Sequence, residues 1–255
     1  MKKLINNVKS FNIMKEFVKR VIRWLATNKV LYFPIRILER VVGYAIPFSR
    51  NEIIISYNDP ERSNVFNLIK KIASETEMLL AFNEAYQIFM AVKRTEKVKG
   101  DIAEVGVYKG GSAKLICEAK GNKTLHLFDT FEGIPKVDEI DQSHFFKGQF
   151  TASLEDVKSY LEKYKNVYFY KGVFPATAEP VKDKKFSFIN LDVDTYESTL
   201  NCLIFFYSRM NQGGIIISHD YISAPGVKKA FDEFFKDKPE PIIELSGSQC
   251  LIVKT

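Results

Sequence analysis

Several short stretches of this 255-residue chain carry residue types whose spacing could do chemistry. In the first, Glu104-Val105-Gly106-Val107-Tyr108-Lys109-Gly110-Gly111-Ser112, an apolar run passes into a helical pattern. Glycines at such a junction let a ligand approach the backbone closely, and the first turn of the following helix offers free N–H groups. Lys109 precedes the glycine pair and no Gly-Lys-Ser/Thr follows, so this is not a Walker A loop; the glycine spacing also fails G-x-G-x-x-G. Asp129 closes the next apolar run, twenty-five positions after Glu104. A carboxylate there can accept hydrogen bonds from ribose hydroxyls.

Asp192 and Asp194 close a later run at positions i and i+2, and extended backbone would turn both carboxylates to one face. His219 and Asp220 close the run after it, which is expected to be its neighbour in a sheet. Four potential ligands then converge on one edge. Their oxygen-rich set favours magnesium or manganese, and the imidazole moves the preference toward manganese, iron or zinc. Gly172 and Phe174 follow the third run at the same sheet edge. His126 falls within a strand and His144 in a loop; both read as structural, with His144 also a candidate for acceptor contact.

The elements that must position these residues alternate. Apolar runs at 101–106, 124–129, 167–171, 186–192, 214–219, 242–245 and 249–253 are separated by helical patterns at 112–119, 154–164, 198–210 and 227–235. This predicts a mostly parallel, seven-stranded sheet with helices on both faces. The last two strands are joined only by Ser246-Gly247-Ser248, too short for a parallel crossover, so they form a C-terminal antiparallel hairpin. A helical region at about 62–93 precedes the sheet, with Phe66, Ile69, Ile72, Leu79, Leu80, Phe82, Ala85, Phe89 and Val92 as its buried positions. The stretch 131–150 is long for a strand-to-helix connection and holds Phe131, Phe145, Phe146 and Phe150, so it is expected to form a lid. Glycine-rich turn, acidic second-strand end and terminal hairpin together point to an adenosyl cofactor without a pyrophosphate. That is the arrangement of a Rossmann-like, class I S-adenosylmethionine-dependent methyltransferase.

Five segments sharpen this: 100–112, 128–135 (Phe128-Asp129-Thr130-Phe131-Glu132-Gly133-Ile134-Pro135), 172–177, 191–199 and 213–221. In their order, from about Asn58 to Lys254, the chain resembles the macrocin O-methyltransferase family, which includes enzymes that methylate sugar hydroxyls in macrolide and aminocoumarin antibiotic biosynthesis. The resemblance implies S-adenosylmethionine as cofactor, with Glu104, Gly106, Tyr108, Ser112, Asp129, Thr130, Phe131, Gly172, Phe174 and Asp192 around it. It also implies a divalent metal on Asp192, His219 and Asp220, and Asp194 as the base. The family's usual Asp-Asp-Tyr reads His219-Asp220-Tyr221 in this chain. Methyl transfer from a sulfonium is an in-line displacement, and a hydroxyl acceptor at neutral pH needs a base, a Lewis acid or both. The expected reaction is O-methylation, of a sugar hydroxyl in a glycan or glycosylated metabolite. Catechol-type methylation of a small phenol and an inactive, membrane-associated binding protein of the same fold are the alternatives.

Charge divides the chain in two. Residues 1–50 hold eleven Lys and Arg against Glu16 and Glu39, which leaves 26 basic and 29 acidic residues for the remainder of a chain whose net charge is +6. A mildly acidic body argues against a nucleic-acid partner. Leu4, Val8, Phe11, Met14, Val18, Val21, Ile22 and Leu25 step by threes and fours with lysines and arginines between them, an amphipathic basic helix. It would pack on its own domain or a second subunit, or lie on an anionic membrane surface. Residues 1–57 thus read as a helical extension and 58–255 as the methyltransferase domain. A homo-oligomer with a small-molecule or glycan acceptor is expected. Cys117, Cys202 and Cys250 show no metal or redox spacing, and no signal peptide is evident, so a cytoplasmic protein with buried, reduced thiols is expected, with peripheral contact at the inner membrane face as an additional role for residues 1–50.

Overall fold

A computed structural model describes residues 60–255. The expected amphipathic helix and the rest of the 1–57 extension lie outside the described residues. Two helices, α1 (Pro60–Glu75) and α2 (Phe82–Arg94), lead into β1 (Asp101–Val105), α3 (Gly111–Ala119), β2 (Leu125–Asp129), α4 (Leu154–Leu161) and β3 (Val167–Lys171). Then follow β4 (Phe186–Leu191), α5 (Tyr196–Tyr207), β5 (Met210–Ser218), α6 (Pro225–Phe235), β6 (Ile243–Glu244) and β7 (Cys250–Val253). No helix among the described residues is long and apolar enough to cross a membrane.

The sheet order is β3-β2-β1-β4-β5-β7-β6. Strands β1 to β5 are parallel, whereas β7 runs antiparallel to both β5 and β6. Because side chains alternate along a strand, adjacent residues feed two cores. Ile102, Leu125, Leu127, Phe188 and Ile217 join the layer containing α1 to α4. Ala103, Val105, Phe128, Ile189, Leu191 and Ile216 join the layer containing α5 and α6. Cys117, Cys202 and Cys250 are buried with free thiols.

The helical region expected at 62–93 is two helices with a break between Glu75 and Phe82. Apolar spacing continues through the break, so periodicity alone does not reveal it. Leu79, expected to be buried, is 53% exposed. The fifth strand starts at Met210, which the sequence pattern assigned to the preceding helix.

Candidate active site

Strand pairing continues one residue past the strand ends and lines up the residues that follow them. Gly172 N–H donates to Asp129 O (2.9 Å), Gly106 N–H to Phe128 O (2.9 Å), Asp192 N–H to Val105 O (2.9 Å) and His219 N–H to Leu191 O (2.8 Å). Strand order reverses between β1 and β4, and ligands bind at such switch points outside the carboxyl ends of the strands. A cleft opens there. Gly106, Tyr108, Ser112, Asp129, Thr130, Gly172, Phe174, Asp192, Asp194, His219 and Asp220 all lie on its wall.

The glycine-rich turn is built around Asp129. Its Oδ2 accepts from Val107 N–H (2.6 Å) and Tyr108 N–H (2.8 Å), and its Oδ1 from Phe131 N–H (2.6 Å). The carboxylate expected to meet a ribose thus also organises the turn, and holds Tyr108 (φ 49°) and Phe131 (φ 56°) in the left-handed region. Such strain in non-glycine residues gathers at functional sites. Gly106 (φ 87°) has no room for a side chain, because Asp192 O would lie 1.8 Å from a Cβ there.

Two residues assigned to the cofactor stand behind the wall. Glu104 is fully buried; its Oε1 accepts from Asn190 Nδ2 (2.8 Å), while Oε2 has no partner. Burial pushes this carboxyl up to about 8, against the opposing pull of the polar Ser112 and Asn190 side chains. Phe131 is 3% exposed and packs in the core on the α3 side. β1 alternation turns Glu104 toward α3, and the Asp129 hydrogen bond folds Phe131 inward. Phe174 keeps only an edge on the cleft, since its ring stacks on Phe206 (5.2 Å) and meets Phe128 edge-on (5.3 Å).

The two aspartates after β4 do not reach the cleft by strand alternation. β4 ends at Leu191, and Asp194 takes a left-handed conformation (φ 64°), which aspartate tolerates because its short side chain bonds locally. A turn therefore brings them together. Burial, then the neighbouring Asp192 and Asp220, hold the Asp194 carboxyl well above the usual carboxylate range. His219 Nδ1 stands 3.3 Å from Asp192 Oδ1 and 3.1 Å from Asp220 Oδ2, and Nε2 stands 3.4 Å from Glu84 Oε2. Burial opposes charge on this imidazole, but Asp192, Asp220 and Glu84 outweigh it and raise its pKa. Burial likewise disfavours the Glu84 carboxylate, and His219 and Ser248 still draw it down to about 2.

One atom each of Asp192, His219 and Asp220 lie within 4.8 Å of one another, a donor set of two carboxylates and an imidazole. This set fits a divalent ion, which would take the place of the imidazole proton. Glu84 was not anticipated from sequence, although an acid in register with Ile88 on the buried face of α2 is an available signal. Glu77, Met78, Leu79 and Leu80, in the break between α1 and α2, also line the cleft.

The 131–150 loop is not a free lid. Gly133, Ile134, Pro135, Gln149 and Phe150 line the cleft, and Ile134 and its partners Gln149 and Gly148 tie the two ends together. The middle is pinned by the buried Asp141, whose Oδ2 accepts from Tyr196 N–H (2.8 Å) and Oδ1 from Gly226 N–H (3.1 Å). Phe145 packs against the α5/α6 core, whereas Phe146 is exposed. His144 is exposed, off the cleft, and paired with Ser143. His126 is structural, between Asp101 (2.9 Å) and Tyr170 (3.0 Å).

Parallel β1 to β5, the inserted antiparallel β7 and a cleft at the switch point define a class I O-methyltransferase fold. The O-methyltransferase NovP shares it at a TM-score of 0.64 and 26% identity, over 71% of this chain and 83% of that one. CalS11, a calicheamicin methyltransferase, is alike in fold at a TM-score of 0.61 and 16% identity, over 78% of this chain and 95% of its own. A family model described as macrocin-O-methyltransferase (TylF) matches residues 83–248, more than half of the chain, and the chain belongs to that family. It is 32% identical over 140 residues to the 8-demethyl-8-(2,3-dimethoxy-alpha-L-rhamnosyl)-tetracenomycin-C 4'-O-methyltransferase of Streptomyces olivaceus, covering 49% of this chain and 54% of that protein. It is 29% identical over 153 residues to the demethyldecarbamoylnovobiocin O-methyltransferase of Streptomyces niveus, covering 54% and 58%. The chain spans just over half the length of these curated relatives.

Proposed function

We propose that this protein is an S-adenosylmethionine-dependent O-methyltransferase that methylates a sugar hydroxyl of a glycan or glycosylated small molecule with the help of a divalent metal. One observation carries the reading: a single cleft is walled by the Asp129-braced glycine turn and by the Asp192, Asp194, His219 and Asp220 cluster. The rhamnosyl group in the name of the Streptomyces olivaceus relative supports a sugar acceptor.

When bound, S-adenosylmethionine supplies an electrophilic methyl group on a sulfonium. Gly106 would let it approach the backbone, Asp129 would meet its ribose, and Gly172 with the edge of Phe174 would border its adenine. Asp192, His219 and Asp220 would hold the metal, which would supply Lewis-acid chemistry toward the acceptor hydroxyl. Asp194 takes the acceptor proton on its carboxylate. Its burial makes it more basic than an exposed aspartate. Residues 58–255 are assigned this chemistry in a cytoplasmic homo-oligomer. The basic 1–57 extension is assigned to contact with another subunit or with the inner face of the membrane, and liposome binding and subunit mass after deleting residues 1–28 separate the two.

The test offers labelled S-adenosylmethionine with rhamnosylated and catechol acceptors side by side. Label is expected on the sugar. In Asp194→Ala, turnover is expected to fall by about 10²–10⁴-fold while S-adenosylhomocysteine still binds in calorimetry. Label on the catechol alone would overturn the acceptor, full turnover in the variant would overturn the base, and no cofactor binding would overturn the activity.

A further inference from the structure

We infer that Glu84 is the positioning residue of the metal centre: its carboxylate holds the Nε2 side of His219 and thereby turns Nδ1, between Asp192 and Asp220, toward the ion. The inference rests on the metal reading above and adds to it a residue and an ion class. Donors about 2.0–2.2 Å from one ion and at right angles to each other stand about 3 Å apart. The Nδ1 distances to Asp192 Oδ1 (3.3 Å) and Asp220 Oδ2 (3.1 Å) match that spacing. The opposite ring nitrogen meets Glu84 Oε2 at 3.4 Å. A ligating histidine generally donates its second N–H to a carboxylate, which sets the tautomer and the ring plane.

Glu84 is itself held from several sides. It is 4% exposed. Oε2 accepts from Ala81 N–H (2.8 Å), and Oε1 accepts from Ser248 N–H (2.7 Å) and Ser248 Oγ (2.9 Å). Gly247 (φ 103°) packs so tightly that a Cβ there would lie 2.5 Å from Oε1. Asn83 and Gln87 clamp the same turn, each donating a side-chain amide to Ser246 O at 2.9 Å. The turn at 246–248 in the β6–β7 connection and the first turn of α2 thus form one cradle for this carboxylate. An imidazole donor fixed in this way favours manganese, iron, cobalt or zinc over magnesium.

The experiment titrates chelator-stripped, full-length protein with manganese and with magnesium by calorimetry, and records the electron spin-echo spectrum of the manganese-loaded protein. Manganese is expected to bind the wild type more tightly than magnesium and to show nitrogen modulation from the imidazole, which His219→Asp removes. Glu84→Gln is expected to bind manganese about 10–100-fold more weakly, with unchanged affinity for S-adenosylhomocysteine as proof of fold. Should Glu84→Gln not fold, Ser248→Ala, which loosens the cradle from one side, is expected to weaken manganese in the same direction. Unchanged manganese affinity in the folded variant, or a wild-type spectrum without nitrogen modulation, overturns the role of Glu84 and leaves the metal reading standing. A wild type that binds no divalent ion overturns both.

Discussion

Gly106 and Asp192 meet at the point where the strand order reverses: the carbonyl oxygen of Asp192 occupies the space a side chain on Gly106 would need, 1.8 Å from an idealised Cβ. Gly106 also has a φ of 87°. Gly106→Ala therefore faces both a backbone clash and an unfavourable dihedral. It is expected to lower stability by about 3 kcal/mol or more and to abolish binding of S-adenosylhomocysteine, read by denaturant titration and calorimetry. A variant with wild-type stability and affinity would show that the two strand ends part easily.

Asp129 braces three backbone N–H groups with two oxygens. Asp129→Asn replaces one acceptor by a donor, so at least one N–H faces an amide N–H. The expected destabilisation is about 1–3 kcal/mol, with weaker cofactor binding because Val107 and Tyr108 no longer hold the turn. The urea midpoint and the cofactor affinity are expected to fall together.

Asp141 receives the first N–H groups of two helices, through Tyr196 and Gly226. Asp141→Ala removes both caps, at about 0.5–2 kcal/mol each, and frees the middle of the 131–150 loop. Limited proteolysis is expected to cut this loop faster while the sheet core stays resistant. Unchanged cleavage would mean that Phe145 alone anchors it.

Glu104 gives a pH dependence. Its folded-state value of about 8 lies above its ordinary 4.5, so the folded protein binds a proton that the unfolded chain releases earlier. The stabilisation is complete below 4.5 and is lost as pH rises through 8. The denaturant midpoint of the cofactor-free protein is expected to decline between those limits, and Glu104→Gln, which mimics the neutral carboxyl, to flatten the decline. An equal slope in the variant would assign the dependence to other groups.

Much of the fold was legible from residue order. Short apolar runs separated by helical patterns marked the strands, and the Ser246-Gly247-Ser248 connection could only be a hairpin, because a parallel crossover needs a dozen or more residues. Glycine and acid at strand ends marked the cleft, since an open α/β sheet presents ligands there whatever the loops do. The break before α2 was not legible, because Leu79 and Leu80 continue the helical spacing while lining a cleft.

Sequence by itself determined the strands, their faces and the residue types at their carboxyl ends, because those follow from periodicities of a few residues. Only the tertiary structure decided which of these groups meet. It put Glu104 behind the cleft wall, turned Asp194 through a left-handed residue rather than an extended strand, and set Glu84 against His219 across 135 positions of chain. Such contacts depend on how separate elements pack around the β5–β7–β6 edge and on the path of each loop. Spacing along the chain carries no record of either.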